Sequence, residues 1–219
     1  MQEAINIDEL ANYLAVDDPG TAGELLAYME MTDLPGPRRI LRNIYVPHWH
    51  GESTEIDLLL IHATGFYVIE SKNFSGEVRG DEKRRLWEAR YSTYRGGRSV
   101  YEFDNPIKQN ELHIRAIRRY TSFYGNMPVH SIVAYGNWCT LKSVRRTAEK
   151  TLQCHYRTLH AQLRGIINKS ACCLSAEEVD MFYRLLLPLV DKDRDTHVQR
   201  MRAKQLKAVE TKKQENHRE

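Results

Sequence analysis

The chain is poor in the residues that build several large functional classes. Its four cysteines, Cys139, Cys154, Cys172 and Cys173, all lie in the second half of the 219 residues. They form no C-x-x-C pair and have no histidines at zinc-like spacing, which argues against a thiolate metal site or a disulfide framework. Nowhere do the roughly 18 apolar residues needed to span a bilayer run together, and no charged-then-apolar leader opens the chain. None of the 12 glycines sits in a Walker-type loop, so no nucleotide-triphosphate motor is visible. No repeat of solenoid period is present. These absences point to a soluble chain with reduced thiols, with no membrane partner and a cytoplasmic location as the expectation.

What is present is enough for one sizeable core. With 42% hydrophobic residues, a chain of this length supports one main domain and a helical appendage. A formal charge of +3 and a pI near 8.6 are mildly basic, which by itself does not establish a nucleic-acid partner.

Periodicity orders the elements. Ile7 to Val16 has helical spacing behind a capping Asp8, and residues 1–16 read as an N-terminal helix. A second helix is expected from Thr21 to Met31, ended by Pro35, Gly36 and Pro37. Arg39 to Val46 alternates as a strand, and Pro47 to Ser53 is the loop after it. Ile56 to Ile61 and Phe66 to Ser71 are apolar, β-prone runs joined by a turn at Ala63, Thr64 and Gly65, a hairpin of two antiparallel strands. A strand around Trp87 leads into a loop from Tyr91 to Ser99. Asn105 and Pro106 open a helix, since proline suits the first turn, and Val129 to Tyr135 is another strand. Arg145 to Ile167 and Ala176 to Leu187 read as helices, the latter capped by Ser175. From Asp191 the tail carries nine Lys or Arg against six Asp or Glu, which suits a solvated helix or disorder.

Charges recur inside the apolar hairpin. Residues two apart on a strand share a face, so Glu70 and Lys72 point the same way, and Asp57 reaches the same end from the neighbouring strand. Two carboxylates converging on one point suit a hard divalent cation such as Mg²⁺, which takes oxygen ligands and keeps water elsewhere. An adjacent lysine can orient a metal-bound water or offset charge on a phosphate. Attack of water on a phosphodiester is the reaction this set suits.

The order of short motifs carries more than any one of them. A helix with Gly23-Glu24, a strand Thr54-Glu55-Ile56-Asp57, a strand Tyr67-Val68-Ile69-Glu70-Ser71-Lys72-Asn73, then Ser75-Gly76, Trp87 and Asn105-Pro106-Ile107-Lys108-Gln109-Asn110 closely resembles the nuclease-related domain, a family of the PD-(D/E)XK nuclease superfamily. The resemblance covers roughly residues 17–138. It implies an α/β, restriction-endonuclease-like core with a mixed central sheet flanked by helices, followed by a C-terminal helical segment over 139–190 and the charged tail over 191–219. It further implies a metal-dependent deoxyribonuclease using Mg²⁺ or Mn²⁺, with Asp57 and Glu70 as metal ligands and Lys72 as the catalytic lysine. Glu24 would be the upstream helical acid and Gln109 a polar residue on the helix after the sheet. Asp57 is followed by Leu58, where many relatives carry histidine.

Each assignment has a plainer alternative. Asp57, Glu70 and Lys72 would also suit a salt-bridge network at a sheet edge, Glu24 an acid at a helix N-terminus, and Gln109 a solvated helix position. Arg90, Arg95 and Arg98, interleaved with Tyr91 and Tyr94, have the composition of a nucleic-acid contact and equally that of a solvated hairpin. His48 and His50 flank Trp49 without a third ligand and read as an ordinary polar loop. The partner expected is DNA, with a homodimer as the arrangement that would cut both strands. The competing reading is a catalytically weak or inactive nucleic-acid-binding or protein-interaction module on the same fold.

Overall fold

The computed structural model describes residues 19–92, 97–142, 144 and 150–190. The expected N-terminal helix, the charged tail and Arg95 lie outside the described residues. Helix α1 (Pro19–Met29) precedes strand β1 (Arg38–Pro47), which returns through a short 3-10 turn, Trp49–Gly51, into β2 (Ser53–His62) and then β3 (Gly65–Lys72). Three short strands follow, β4 (Gly76–Arg79), β5 (Leu86–Ser92) and β6 (Arg98–Asp104). Helix α2 (Pro106–Tyr120) leads to β7 (Val129–Tyr135), β8 (Cys139–Lys142) and β9 (Thr151–His155), and the described chain closes with α3 (Tyr156–Ile167) and α4 (Ala176–Leu186).

The central sheet has the order β1-β2-β3-β7-β9 and is mixed. β1, β2 and β3 run antiparallel as consecutive hairpins, whereas β7 joins β3 in parallel and β9 joins β7 in parallel. A parallel neighbour needs a long crossover, and the segment from β4 through α2 supplies it. Helices cover both faces. One apolar cluster joins Leu59, Ile61, Phe66 and Val68 to Ala116 and Ile117 of α2 and to Val179, Phe182 and Leu186 of α4. The other joins Leu58, Leu60, Tyr67 and Ile69 to Ala27 of α1 and Met31 just after it, and to Tyr156, Leu159 and Leu163 of α3. This is the mixed α/β core, sheet between helices, that the motif order implied.

The second sheet, β6-β5-β4-β8, continues the first. β3 breaks at Asn73 to Ser75 and resumes as β4; β7 breaks at Gly136 to Trp138 and resumes as β8, again parallel. The break is held by Gly136 N–H donating to Lys72 C=O at 3.0 Å and Gly76 N–H to Trp138 C=O at 3.3 Å. A Cβ at Gly136 would lie 2.5 Å from the Phe74 carbonyl oxygen, so only glycine permits this approach.

Two stretches differ from the sequence reading. Thr151–His155, placed there in a helix from Arg145 onward, is an edge strand, and α3 begins only at Tyr156. Five residues of mixed polarity carry no period of their own, and pairing with β7 decides their state. The loop placed from Tyr91 to Ser99 is instead partly strand, since β5 reaches Ser92 and β6 starts at Arg98, the two ends being register partners.

Candidate active site at a fork between strands

The register between β2 and β3 ends at the Leu58–Ile69 pair. Beyond it the strands part, and Asp57 fills the fork: its Oδ2 accepts the Ser71 N–H at 2.7 Å, replacing the ladder bond that parting removes. The sidedness of the sheet changes at the same level. Leu59 and Ile61 face the α2 side and Leu58 and Leu60 the α1 side, yet Ile56 also faces the α2 side. β1 makes the same switch between Leu41 and Ile44, across Asn43, whose φ of 50° lies in the left-handed region. Strain on one strand and a side-chain bridge on the next together open the sheet where the charges lie.

Glu70 and Lys72 share the α2 face, and Lys72 Nζ donates to Glu70 Oε1 at 2.6 Å. Glu70 is 3% exposed. Its second oxygen, Oε2, lies 3.1 Å from Nε2 of His113 on α2, and Nδ1 of that ring lies 2.8 Å from the Thr54 hydroxyl on β2. An ionised carboxylate only accepts, so Nε2 carries the proton toward Glu70 and Nδ1 takes the Thr54 O–H. Both Glu70 oxygens are therefore held by cationic or polar hydrogen-bond donors.

The electrostatics separate the two acids. Burial by itself would raise the Glu70 pKa, but the Lys72 ammonium and the His113 hydrogen bond outweigh it and hold the carboxyl at about 2. Asp57 goes the other way: burial, then the Glu70 and Glu24 carboxylates, raise it well above 3.8 against the pull of Lys72 and the Ser71 N–H. Burial would lower the Lys72 pKa; Glu70 and Asp57 reverse that and raise it. One carboxylate is held ionised and its neighbour is pushed toward the protonated form.

Glu24 reaches the site from the other face of the sheet, close enough for its charge to act on Asp57. The preceding residue explains how α1 comes so close. A Cβ at Gly23 would sit 2.5 Å from the Tyr156 hydroxyl oxygen and 2.6 Å from Asn73 Cβ. The Tyr156 hydroxyl in turn bonds Ser71 Oγ at 2.7 Å, tying α3 to the residue between Glu70 and Lys72.

Gln109 lies one turn before His113 on α2, half-buried, with its Oε1 buried and without a hydrogen-bond partner. Among the described residues no hydrogen bond links it to the three charges; the α2 side chain that binds Glu70 is His113. The shared face of Gln109 and His113 at i and i+4 was the available signal. The asparagines of the same motif are structural. Asn105 caps α2 by accepting from Ile107 N–H and donates to the Asp81, Glu82 and Arg84 carbonyls. Asn110 donates from Nδ2 to Ile132 C=O at 2.8 Å and Val68 C=O at 3.2 Å, pinning the helix to β7 and β3. Arg90 is paired with Glu88 at 2.6 Å, and Arg98 is exposed at the start of β6.

Among the described residues no group of three or more His, Cys, Asp or Glu side chains encloses a point where a metal ion would sit. The donor set nonetheless fits a hard cation. It is all oxygen, and Asp57 stands in mutual repulsion with Glu70 and Glu24, a repulsion that a cation relieves. Mg²⁺ is commonly held by one or two carboxylates with waters and substrate phosphate, without a closed protein cage.

Fold and site together define a mixed α/β protein with a restriction-endonuclease-like core and a part-buried acid, acid, lysine cluster at a sheet fork. The chain belongs to the nuclease-related domain family, whose model matches residues 19–136. It is also 30% identical over 177 residues, 80% of this chain and 79% of the other, to an uncharacterized protein of Bacillus anthracis. No solved structure matches significantly. No helix among the described residues is long and apolar enough to cross a membrane.

Proposed function

We propose that this protein is a cytoplasmic Mg²⁺- or Mn²⁺-dependent nuclease that hydrolyses phosphodiester bonds of DNA at the Asp57–Glu70–Lys72 fork. The observation that carries the reading is the unequal pair of acids at the fork, Glu70 held ionised by its bonds to Lys72 and His113 and Asp57, bridged to Ser71 N–H, pushed against ionisation by burial and then by Glu70 and Glu24. Such a pair gains from a divalent cation, which would add to the partial relief that Lys72 and the Ser71 N–H give Asp57.

Asp57 and Glu70 would hold the metal, and Glu24 adds negative charge from the opposite face. A bound cation supplies a water of lowered pKa and neutralises charge developing on the phosphate. Lys72 occupies Glu70 Oε1, so that oxygen becomes available only as the ion pair parts, which frees the ammonium to face a phosphate oxygen. His113, steadied by Thr54, keeps Glu70 Oε2 oriented throughout. The Ser71 N–H holds Asp57 at the fork in the same way.

The experiment is cleavage of plasmid and linear DNA by purified full-length protein with Mg²⁺, Mn²⁺ or EDTA, beside Asp57→Ala and Lys72→Ala. Metal-dependent cleavage that both substitutions abolish supports the reading; equal cleavage by all three proteins refutes it. One observation favours the alternative of a weak or inactive nucleic-acid-binding module: both Glu70 oxygens are already engaged in the closed pair. DNA retention without cleavage, unchanged by metal and by either substitution, would establish that alternative.

A further inference from the structure

Two of the three tryptophans are exposed, Trp49 at 62% and Trp138 at 87%, while Trp87 is fully buried. Both exposed rings stand at the end of the central sheet that carries the fork. Trp49 lies in the β1–β2 connection, beyond the Pro47–Ser53 pair and on the side toward which β2 runs back from Asp57. Trp138 lies three residues past Tyr135, the register partner of Lys72, in the break where β7 passes into β8. With sheet order β1-β2-β3-β7, the fork between β2 and β3 falls between the two rings. The lateral offset across those strands is at least about 10 Å, at a spacing of ~4.8 Å per paired strand and more where β2 and β3 part.

Arg119 stands against the Trp49 ring, and Arg157 is joined through its backbone to the residue before Trp138. Arg119 of α2 stacks its guanidinium 4.3 Å from the Trp49 ring centroid, and the residue nonetheless stays largely exposed. Arg157 opens the first turn of α3, exposed, with its backbone N–H donating to the side chain of Asn137, the residue before Trp138. Trp49 is thus tied to the α2 face and Trp138 to the α3 face, and a chain passing from one to the other crosses the fork. Neither ring belongs to the apolar core clusters.

We infer that Trp49 with Arg119 and Trp138 with Arg157 form a two-point clamp for a single-stranded polynucleotide, one unpaired base stacking on each indole while the arginines meet the flanking phosphates. The inference rests on the nucleic-acid reading above and specifies its substrate. The occupant follows from the chemistry. In a duplex the base faces are already stacked and only the edges are offered, so an isolated indole gains little; an unpaired base offers its whole π face. The arginines complement phosphate charge and would repel a basic partner surface.

The test uses the full-length chain in EDTA, where cleavage is silent, and follows intrinsic tryptophan fluorescence, to which the buried Trp87 contributes a constant background. Oligo-dT is titrated beside a duplex of equal length and oligo-rU. The expected result is quenching by oligo-dT, at least tenfold weaker binding of the duplex, and a loss of about tenfold in oligo-dT affinity for each of Trp49→Ala and Trp138→Ala. Equal binding of oligo-rU supports the inference, since the unpaired base is what the indoles recognise. Duplex binding as tight as oligo-dT, with both variants unchanged, overturns it. So does conversion of a dimer to a monomer by either variant with oligo-dT affinity intact, which would make the surface a contact between two copies. Cleavage without quenching refutes the clamp alone, and quenching without cleavage of any substrate in metal refutes the nuclease reading alone.

Discussion

Asp57→Asn is the substitution with the least expected sign: without metal it stabilises the protein. The amide keeps an oxygen to accept the Ser71 N–H, so no hydrogen bond is lost, while the charge placed against Glu70 and Glu24 disappears. A pair of like charges about 6–8 Å apart, wider than a paired cross-strand position because the strands part here, costs about 2–3 kcal/mol at an effective dielectric near 20. Attraction to Lys72 offsets part of this, and relief of carboxylate burial adds to it, leaving roughly 1–2 kcal/mol. For a chain of this size that is a rise of about 2–8 °C in Tm.

The effect depends on pH with a definite sign. The folded-state pKa of Asp57 lies above 3.8, so the folded protein holds a proton that the unfolded chain has released. Wild-type stability therefore declines as pH rises from 3.8 through the folded value, and the variant, which lacks the decline, gains its advantage over that window. Divalent metal reverses the order. At a hundredfold excess over Kd, binding to the folded state adds about 2.7 kcal/mol to the wild type and little to Asp57→Asn. Thermal melts of both proteins from pH 4 to 8, with and without Mn²⁺, read all of this. A metal-free variant that melts below the wild type, or an equal rise of both on adding Mn²⁺, refutes the reasoning.

Three further outcomes follow from the same geometry. Glu70, at about 2 when folded and 4.5 as an unperturbed group, contributes stability that is present above 4.5 and lost as pH falls toward 2, about 3 kcal/mol by linkage; acid denaturation in the Asp57→Asn background isolates it, and an acid limb unchanged by Glu70→Gln contradicts it. His113→Ala removes the buried bond to Glu70 and strands the Thr54 hydroxyl, a loss of about 2–3 kcal/mol that chemical denaturation measures, together with an acid transition moved upward. Gly23→Ala drives a methyl into the Tyr156 hydroxyl and Asn73, costing about 1–3 kcal/mol by overpacking and weakening Mn²⁺ binding as Glu24 is displaced; a calorimetric Mn²⁺ affinity equal to wild type would show that α1 does not act on the site.

Short-range rules account for what could be read along the chain. The β2–β3 hairpin is announced by two apolar β-prone runs with a glycine turn, and the shared face of Glu70 and Lys72 by the period of a strand. The start of α2 is set by Asn105 and Pro106, and the start of α4 by the reciprocal bonds of Ser175 and Glu178. β9 and β6 gave no such sign. β9 is a short edge strand whose pairing with β7 spans about twenty residues, and β6 buries only Phe103 of its seven residues. His113 was visible only as a neighbour of Gln109 on one helix face, because its bond to Glu70 joins residues 43 apart.

The amino-acid order by itself determined the motif set, the family and the identity of the charges, since each depends on spacing within one element or on the succession of elements. Only the tertiary structure decided that β2 and β3 part at Asp57, that Glu70 is held ionised while Asp57 is pushed against ionisation, and that two exposed tryptophans from distant loops stand on either side of the parting. Those facts arise where separate strands and helices meet, and beside Lys72, two residues from Glu70, the groups that act on the two carboxylates include ones the chain brings from 14 to 43 residues away.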